Sequence, residues 1–487
     1  MRSSELAAAG PESDLRLAAA GPQPVRPPRR SGTGAGARRA TAAAPWTYGV
    51  ASGSGRWHLR CSEATGHVSR PGSSPRRSAT LTATGAGPRE RVLLGSHDGR
   101  VFLGSNDVAL VADAFRLVAL PGLVLDLTGR ASAWGRLLTL QATAQTLLLP
   151  VGGALSDRVA CHRVIGAARA LQGLLTAGLV AGVASGRATS SHLDLYAVAA
   201  GAGYGLLLPA LFSMTPELVA AGQVRAANSL VHLASSLARL AGPVLAGVAA
   251  ESLGGGPTLA VAVAFFIASA ASVATIRPRP RERAAKAPLV EQLREGLRVA
   301  RRDRLVATLL GITPLLFLGY AGPVFVGFPA LAREALAAGP RGLGLLYGAV
   351  GVGSVAGALL ASRGSGPRPP VVRAALGVIG SGLGLAGAGA ADRLWTTAAV
   401  LTVSASLASS AVLTFLTLVQ LRAGEAARAR ILSLVILGAS VACPVSYAAA
   451  AALVSASGAP AVLGLGGSLI VVSGLAVWLA HIPRTVP

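Results

Sequence analysis

Lysine is nearly missing from this chain. Lys286 is the only one in 487 residues, so the net charge of +24 is carried almost wholly by arginine. Cysteine occurs three times, at Cys61, Cys161 and Cys443, too far apart for ligand spacing. Neither a disulfide framework nor a cysteine metal site is indicated, and no metal or cofactor is expected. Charged residues make up 13% of the chain, about half the share usual in soluble domains. Aromatic residues are only 4%. There is no Gly-Lys-Ser/Thr phosphate loop, which argues against direct use of ATP. Gly382-Leu383-Gly384-Leu385-Ala386-Gly387 spells a dinucleotide fingerprint, but it lies inside an apolar run with no strand before it, so it is rejected. His162, His232 and His481 are scattered, with no nucleophile and carboxylate at hand. The chain does not read as an enzyme.

What the chain does have is apolar length. Runs long enough to cross a bilayer recur over its last four-fifths. They read as spans at 102–127, 133–151, 164–184, 195–218, 228–251 and 257–276, then at 305–328, 343–362, 371–390, 394–418, 431–454 and 459–480. The predicted class is an all-α membrane protein, with twelve transmembrane helices in two six-helix bundles. The bundles cover 96–276 and 305–487. Between them, 277–304 holds the densest basic charge. Its second part has apolar residues at helical spacing, with Arg294, Arg298, Arg301 and Arg302 between them, which predicts an amphipathic helix lying on the membrane. Residues 1–95 are rich in Ala, Gly, Ser, Pro and Arg, show no sustained period and carry no signal-peptide layout. They are expected to be disordered.

Basic residues between spans set an orientation. Most fall on one side of the membrane. The other side has Arg130, Arg136, Arg187, Arg333, Arg341 and Arg393. Both termini and the 277–304 linker are therefore expected in the cytoplasm. The same topological reading accounts for the basic charge, so no nucleic-acid partner is called for. Two short matches about 200 residues apart suggest an internal repeat: the stretch ending Asp157-Arg158 with that ending Ser362-Arg363, and Phe212 to Pro243 with Phe415 to Pro444.

The connection after span two reads Gly152-Gly153-Ala154-Leu155-Ser156-Asp157-Arg158 and runs to Arg163. Small residues there suit a tight helical hairpin. Gly153-x-Leu155-Ser156-Asp157-Arg158 resembles the loop signature of major facilitator superfamily transporters. Ala160, Cys161 and His162 depart from it, standing where Gly and two basic residues are usual. In span five, Gly242-Pro243-x-x-Ala246-Gly247 resembles the antiporter signature of the superfamily's drug exporters, with Ala246 in place of one Gly. Pro243 should kink that helix. Ala112-Asp113, Asp126-Leu127-Thr128-Gly129 and Pro216-Glu217-Leu218-Val219 resemble the macrolide-efflux and enterobactin-exporter branch. Span four, around Tyr196 to Gly205, has no arginine, where many proton-coupled members carry one.

Ionisable residues inside spans are costly, roughly 2.5–3.5 kcal/mol each on insertion scales, and mark function by default. Span one holds Asp107, Asp113 and Arg116, with Asp113 near its middle and Arg116 one turn on. Asp113 could bind a proton or a cationic substrate group; the alternative is a self-neutralising pair with no further role. Asp126 is expected at the outer surface as a cap. Arg239 in span five joins the coupling candidates. The resemblance implies a cytoplasmic gate from Gly153, Asp157, Arg158, Arg163, Glu217 and Arg225, and an antiporter-like face from Gly242, Pro243 and Gly247. It also implies a secondary transporter in the cell membrane, a monomer that exchanges protons for an amphipathic small molecule. An importer of the same fold and a non-transporting scaffold are the alternatives.

Overall fold

The computed structural model describes residues 91–277, 294, 298, 304–362, 369–422 and 425–481. The disorder expected over 1–95 lies outside these residues for 1–90 and is corrected at Arg91–Gly95, which are helical; most of the proposed linker helix also lies outside them. Arg294 and Arg298 are helical and exposed. Among the described residues there is no strand.

The chain forms a succession of long helices: α1 His97–Thr128, α2 Ala131–Arg158, α3 Cys161–Ala184, α4 Ser190–Leu218, α5 Val224–Leu253 and α6 Gly255–Ala274. After the linker come α7 Arg304–Gly322, α8 Gly339–Ser362, α9 Pro370–Gly389, α10 Leu394–Arg422 and α11 Glu425–His481. A short helical turn, Arg91–Gly95, precedes α1. The ends are set by local chemistry. Ser96 caps α1 by accepting the Gly99 N–H at 3.0 Å. Gly129 ends it at φ 66°, a left-handed conformation that glycine takes without strain. Past Gly322, α7 continues through π-helical turns at Pro323–Gly327 and Leu331–Ala335.

Among the described residues, ten helices are long and apolar enough to cross a membrane. The predicted twelve differ in two places. Helix α2 has 28 residues, ample length for a bilayer, but its polar residues keep it out of the ten. Thr139, Thr143 and Thr146 lie along it, and Thr139 and Thr143 each return the hydroxyl proton to a carbonyl of their own helix four residues back. Helix α11 has 57 residues, about 86 Å at 1.5 Å per residue, and one hydrocarbon core is only about 30 Å thick. Its backbone leaves the helical region at Gly458 (φ 78°, ψ 174°), which divides it into two limbs.

The first six helices pack mainly on one another: α1 on α5 and α6, α2 on α4, and α3 on α4 and α6. The later ones do likewise: α8 on α10, α9 on α10 and α11, and α7 on α11. The most extensive contacts between the sets are α5 with α8 and α2 with α11. They are reciprocal, since the second helix of each set meets the fifth of the other.

One expectation is corrected here. The stretch 152–158 is not a loop. Helix α2 runs on to Arg158, and only Val159 and Ala160 connect it to α3. Gly152 makes the close approach, because a side chain there would strike the Gly205 carbonyl and Leu206 in α4. Gly153 faces open space and has no packing role of that kind.

Candidate functional site: a buried charge cluster

Asp113 sits on α1 where α3 and α4 converge. Its Oδ1 accepts the Tyr204 hydroxyl from α4, and its Oδ2 lies 3.4 Å from Arg169 Nη1 of α3. Arg116, one turn along α1, comes within 3.8 Å of Oδ1. The expected Asp113–Arg116 pair is present, but Tyr204 and Arg169 make the closer contacts.

Arg116 ties α1 to α2 and α4. Its Nη1 donates to Gln141 Oε1 of α2 and to the Tyr196 hydroxyl of α4, both at 3.4 Å. Its Nη2 donates to the Tyr204 hydroxyl at 3.1 Å, and the guanidinium lies 5.3 Å from the Tyr204 ring centre. Arg169 Nη1 also donates to Gln172 Oε1 at 3.3 Å, and Thr176 stands 3.5 Å from the Tyr196 hydroxyl. The residue Arg169 is only 2% exposed. The Asp113 side chain, at 22%, is the most open of the three charged members. The cluster therefore holds two guanidinium groups against one carboxylate.

Arg169 was absent from the sequence candidates, although the rule that singled out Asp113 applies to it equally. It is an ionisable residue inside an apolar span. It also accounts for the missing arginine of span four, because a cation reaches Asp113 from α3 instead.

Asp107 and Arg239 stand beside this cluster. Arg239 is exposed and close enough to feel the charges of Asp107 and Asp113. Asp107 opens on a cavity of about 390 Å³ between α1, α5 and α6, lined by Val111, Ala238 and Phe265 among others. Its Oδ1 is buried and has no hydrogen-bond partner. Next to it, Asn106 donates to Ser235 Oγ of α5 at 3.1 Å.

The gate candidates gather at the end of the bundle where α2 passes into α3. Glu217 Oε1 accepts from Cys161 Sγ at 3.3 Å, which brings the end of α4 against the start of α3. Asp157, Arg158 and Arg163 are exposed around that corner. Arg225 begins α5, and its side chain lies outside the described residues.

The small face of α5 has a defined neighbour. Gly242 meets Ala114 of α1. Gly247 lies against α8, where an added Cβ would be 3.1 Å from Gly344 Cα and 2.9 Å from the Pro340 carbonyl. Gly344 in turn faces the Pro243 carbonyl. Close backbone approach explains small residues at these positions. The helix is continuous through Pro243.

At the opposite end, polar contacts cross between the two sets. Arg333 Nη2 is 3.0 Å from Asp126 Oδ1, so Asp126 pairs across the sets and is not a cap. Trp134 Nε1 donates to the Phe325 carbonyl at 2.7 Å, and deeper in, Thr146 Oγ1 donates to the Ser440 carbonyl at 2.9 Å.

Residues 108–447 match the family model described as Major Facilitator Superfamily. Among curated proteins, the enterobactin exporter EntS of Salmonella choleraesuis (strain SC-B67) is 30% identical over 267 residues, which is 53% of this chain and 61% of the relative. EntS of Citrobacter koseri is 28% identical over 269 residues with the same coverage. The chain thus spans about three-fifths of the length of these relatives. Among solved structures, a bacterial homologue of the human lysosomal transporter Spinster, inward-facing and occupied, aligns with a TM-score of 0.62 at 13% identity, covering 81% of this chain and 97% of that one. The nucleoside transporter NupG aligns at 0.60 and 10%, covering 80% and 100%. At these identities the likeness is one of fold.

Proposed function

The chain belongs to the major facilitator superfamily, and on that premise we propose that it exports an amphipathic small molecule, such as a drug, antibiotic or siderophore, in exchange for protons. It is a multi-pass membrane transporter and not an enzyme. The likeness to enterobactin exporters supports both the outward direction and the siderophore class. Counting α2 and dividing α11 at Gly458 supports the reading of twelve spans. The reciprocal α2–α11 and α5–α8 contacts support two facing bundles of six. The arginine asymmetry supports a cytoplasmic position for both termini.

The observation that carries the coupling proposal is Asp113. It is a mid-span carboxylate, partly open, and held by Tyr204, Arg169 and Arg116. Protonation would remove its charge and release two cations from their partner. Such a change in pairing can bias an equilibrium between two bundle arrangements. The α5–α8 contact near Gly247 and the Asp126–Arg333 pair would hold one end closed in one of those arrangements.

The test is transport in vesicles under an imposed proton gradient, using a substrate found by screening a deletion strain against a panel of drugs and siderophores. Asp113→Asn should reach wild-type expression, lose uphill export and retain some downhill exchange. Full proton-driven export by Asp113→Asn would remove Asp113 from this role and move suspicion to Asp107. Accumulation inward under the same gradient would make the protein an importer. A phenotype indifferent to Asp113→Asn, with no transport in vesicles, would leave a scaffold.

A further inference from the structure

We propose that the cluster between α1, α2, α3 and α4 is a binding site for one monovalent inorganic anion of chloride size, filled when Asp113 is uncharged. The argument begins with charge. Arg116 and Arg169 face Asp113 alone within the cluster, so one positive charge is uncompensated even when Asp113 is ionised. Arg239 beside it feels both Asp113 and Asp107, so counting these two residues as well gives three arginines against two aspartates and the same excess of one. When Asp113 takes up a proton, the excess becomes two. An unmatched cation away from water is among the costliest groups in a membrane protein, and an anion is what relieves it.

The second argument is the hydrogen-bond inventory. Arg116 Nε and Gln172 Nε2 are buried and have no acceptor. Gln172 is 3% exposed, so water does not readily serve it. Both Asp113 oxygens are already engaged, by Tyr204 and Arg169. The cluster thus has donors to spare and no spare carboxylate oxygen. The bonds that the two guanidinium groups do make to other side chains run from 3.1 to 3.4 Å. Charge-assisted bonds usually close to about 2.7–2.9 Å. Donors held this loosely can turn toward an incoming anion. Asp113 itself, the most open member, marks the side from which the anion enters.

The anion takes the place of the negative charge that protonation removes. The cluster can then pass between its two protonation states without a doubly uncompensated core. It rests on the reading of Asp113 as the carboxylate that takes up a proton, and holds for any transported molecule and either direction of transport.

The test uses the purified full-length protein in detergent, with sodium chloride replacing sodium gluconate at constant ionic strength and pH. Thermal unfolding is the readout. Wild type should show a saturable rise in Tm with chloride. Asp113→Asn removes the competing carboxylate permanently, so its half-saturating chloride concentration should fall by about tenfold or more. Arg169→Gln and Arg116→Gln should abolish the response, and Gln172→Leu should weaken it. Arg136→Ala, which removes an exposed arginine outside the cluster, should behave as wild type. The sign of the Asp113→Asn effect keeps the test decisive even if an arginine variant does not fold. The proposal is overturned if chloride leaves wild type and Asp113→Asn unmoved, if Asp113→Asn binds chloride no tighter than wild type, or if Arg169→Gln keeps the full response.

Discussion

Arg333 Nη2 lies 3.0 Å from Asp126 Oδ1, and this ion pair ties the last turn of α1 to the far end of α7. Both side chains are at least half exposed, so the pair is worth only about 0.2–1 kcal/mol. That is too little to fold the protein, yet enough to tilt an equilibrium between two arrangements by about 1.4- to 5-fold. Arg333→Asp should widen the distance between spin labels at Thr128 and Leu336, as read by double electron–electron resonance. The exchange Asp126→Arg with Arg333→Asp should restore the wild-type distribution. An unchanged distribution in Arg333→Asp would show that the pair does not hold this end closed.

Gly152 and Gly153 are adjacent in sequence but should respond oppositely to the same change. A methyl group at Gly152 collides with the Gly205 carbonyl, and at Gly153 it meets nothing. Gly152→Ala should therefore cost about 1–3 kcal/mol through forced separation of α2 and α4. Gly153→Ala should be neutral or stabilising by about 0.5–1 kcal/mol, since alanine favours a helix interior. Denaturant unfolding of the purified variants decides the matter. A Gly153→Ala variant as damaged as Gly152→Ala would count against helical packing at this corner.

Gly247→Leu should separate α5 from α8, because the Pro340 carbonyl and Gly344 leave no room for a side chain. The expected loss is again about 1–3 kcal/mol, felt at the junction of the two helix sets and not within either. Cysteines placed at Val244 and Gly348, which meet across this contact, should form a cross-link in the parent protein and lose it in Gly247→Leu. Undiminished cross-linking would refute the close contact.

Two arginines that each face an aspartate should differ sharply in value. Arg169→Leu removes buried hydrogen bonds to Asp113 and Gln172 while leaving Asp113 paired with Arg116, and should cost about 1.5–3 kcal/mol. Arg136→Ala breaks the exposed pair with Asp194, 2.9 Å apart, and should cost no more than about 1 kcal/mol. Thermal unfolding in detergent measures both. Equal losses would mean that burial does not govern the energetics of these pairs.

The orientation is open to a direct check. In a background with the native cysteines replaced, Cys at position 333 should react with an impermeant thiol reagent applied to intact cells, and Cys at position 286 should react only after lysis. The reverse pattern would invert the topology.

Apolar run length and the spacing of charges already determined that this chain crosses a membrane many times, and roughly where each crossing begins and ends. Those properties are local. A helix of about 20 apolar residues has nowhere else to go, and its backbone must be satisfied within itself. Asp113 and Arg116 were visible for the same reason, since a charge inside such a run stands out one residue at a time. What the helices do to one another was not visible. Nothing in the order of residues says that Arg169, 56 positions away, shares Asp113 with Tyr204, 91 positions away. Nor does it say that Gly152 is packed while Gly153 is free, because that depends on which face of α2 turns to α4. Contacts between helices arise when side chains far apart in sequence meet in space. Only the tertiary structure could bring two arginines to one aspartate and leave their cluster with a charge to spare.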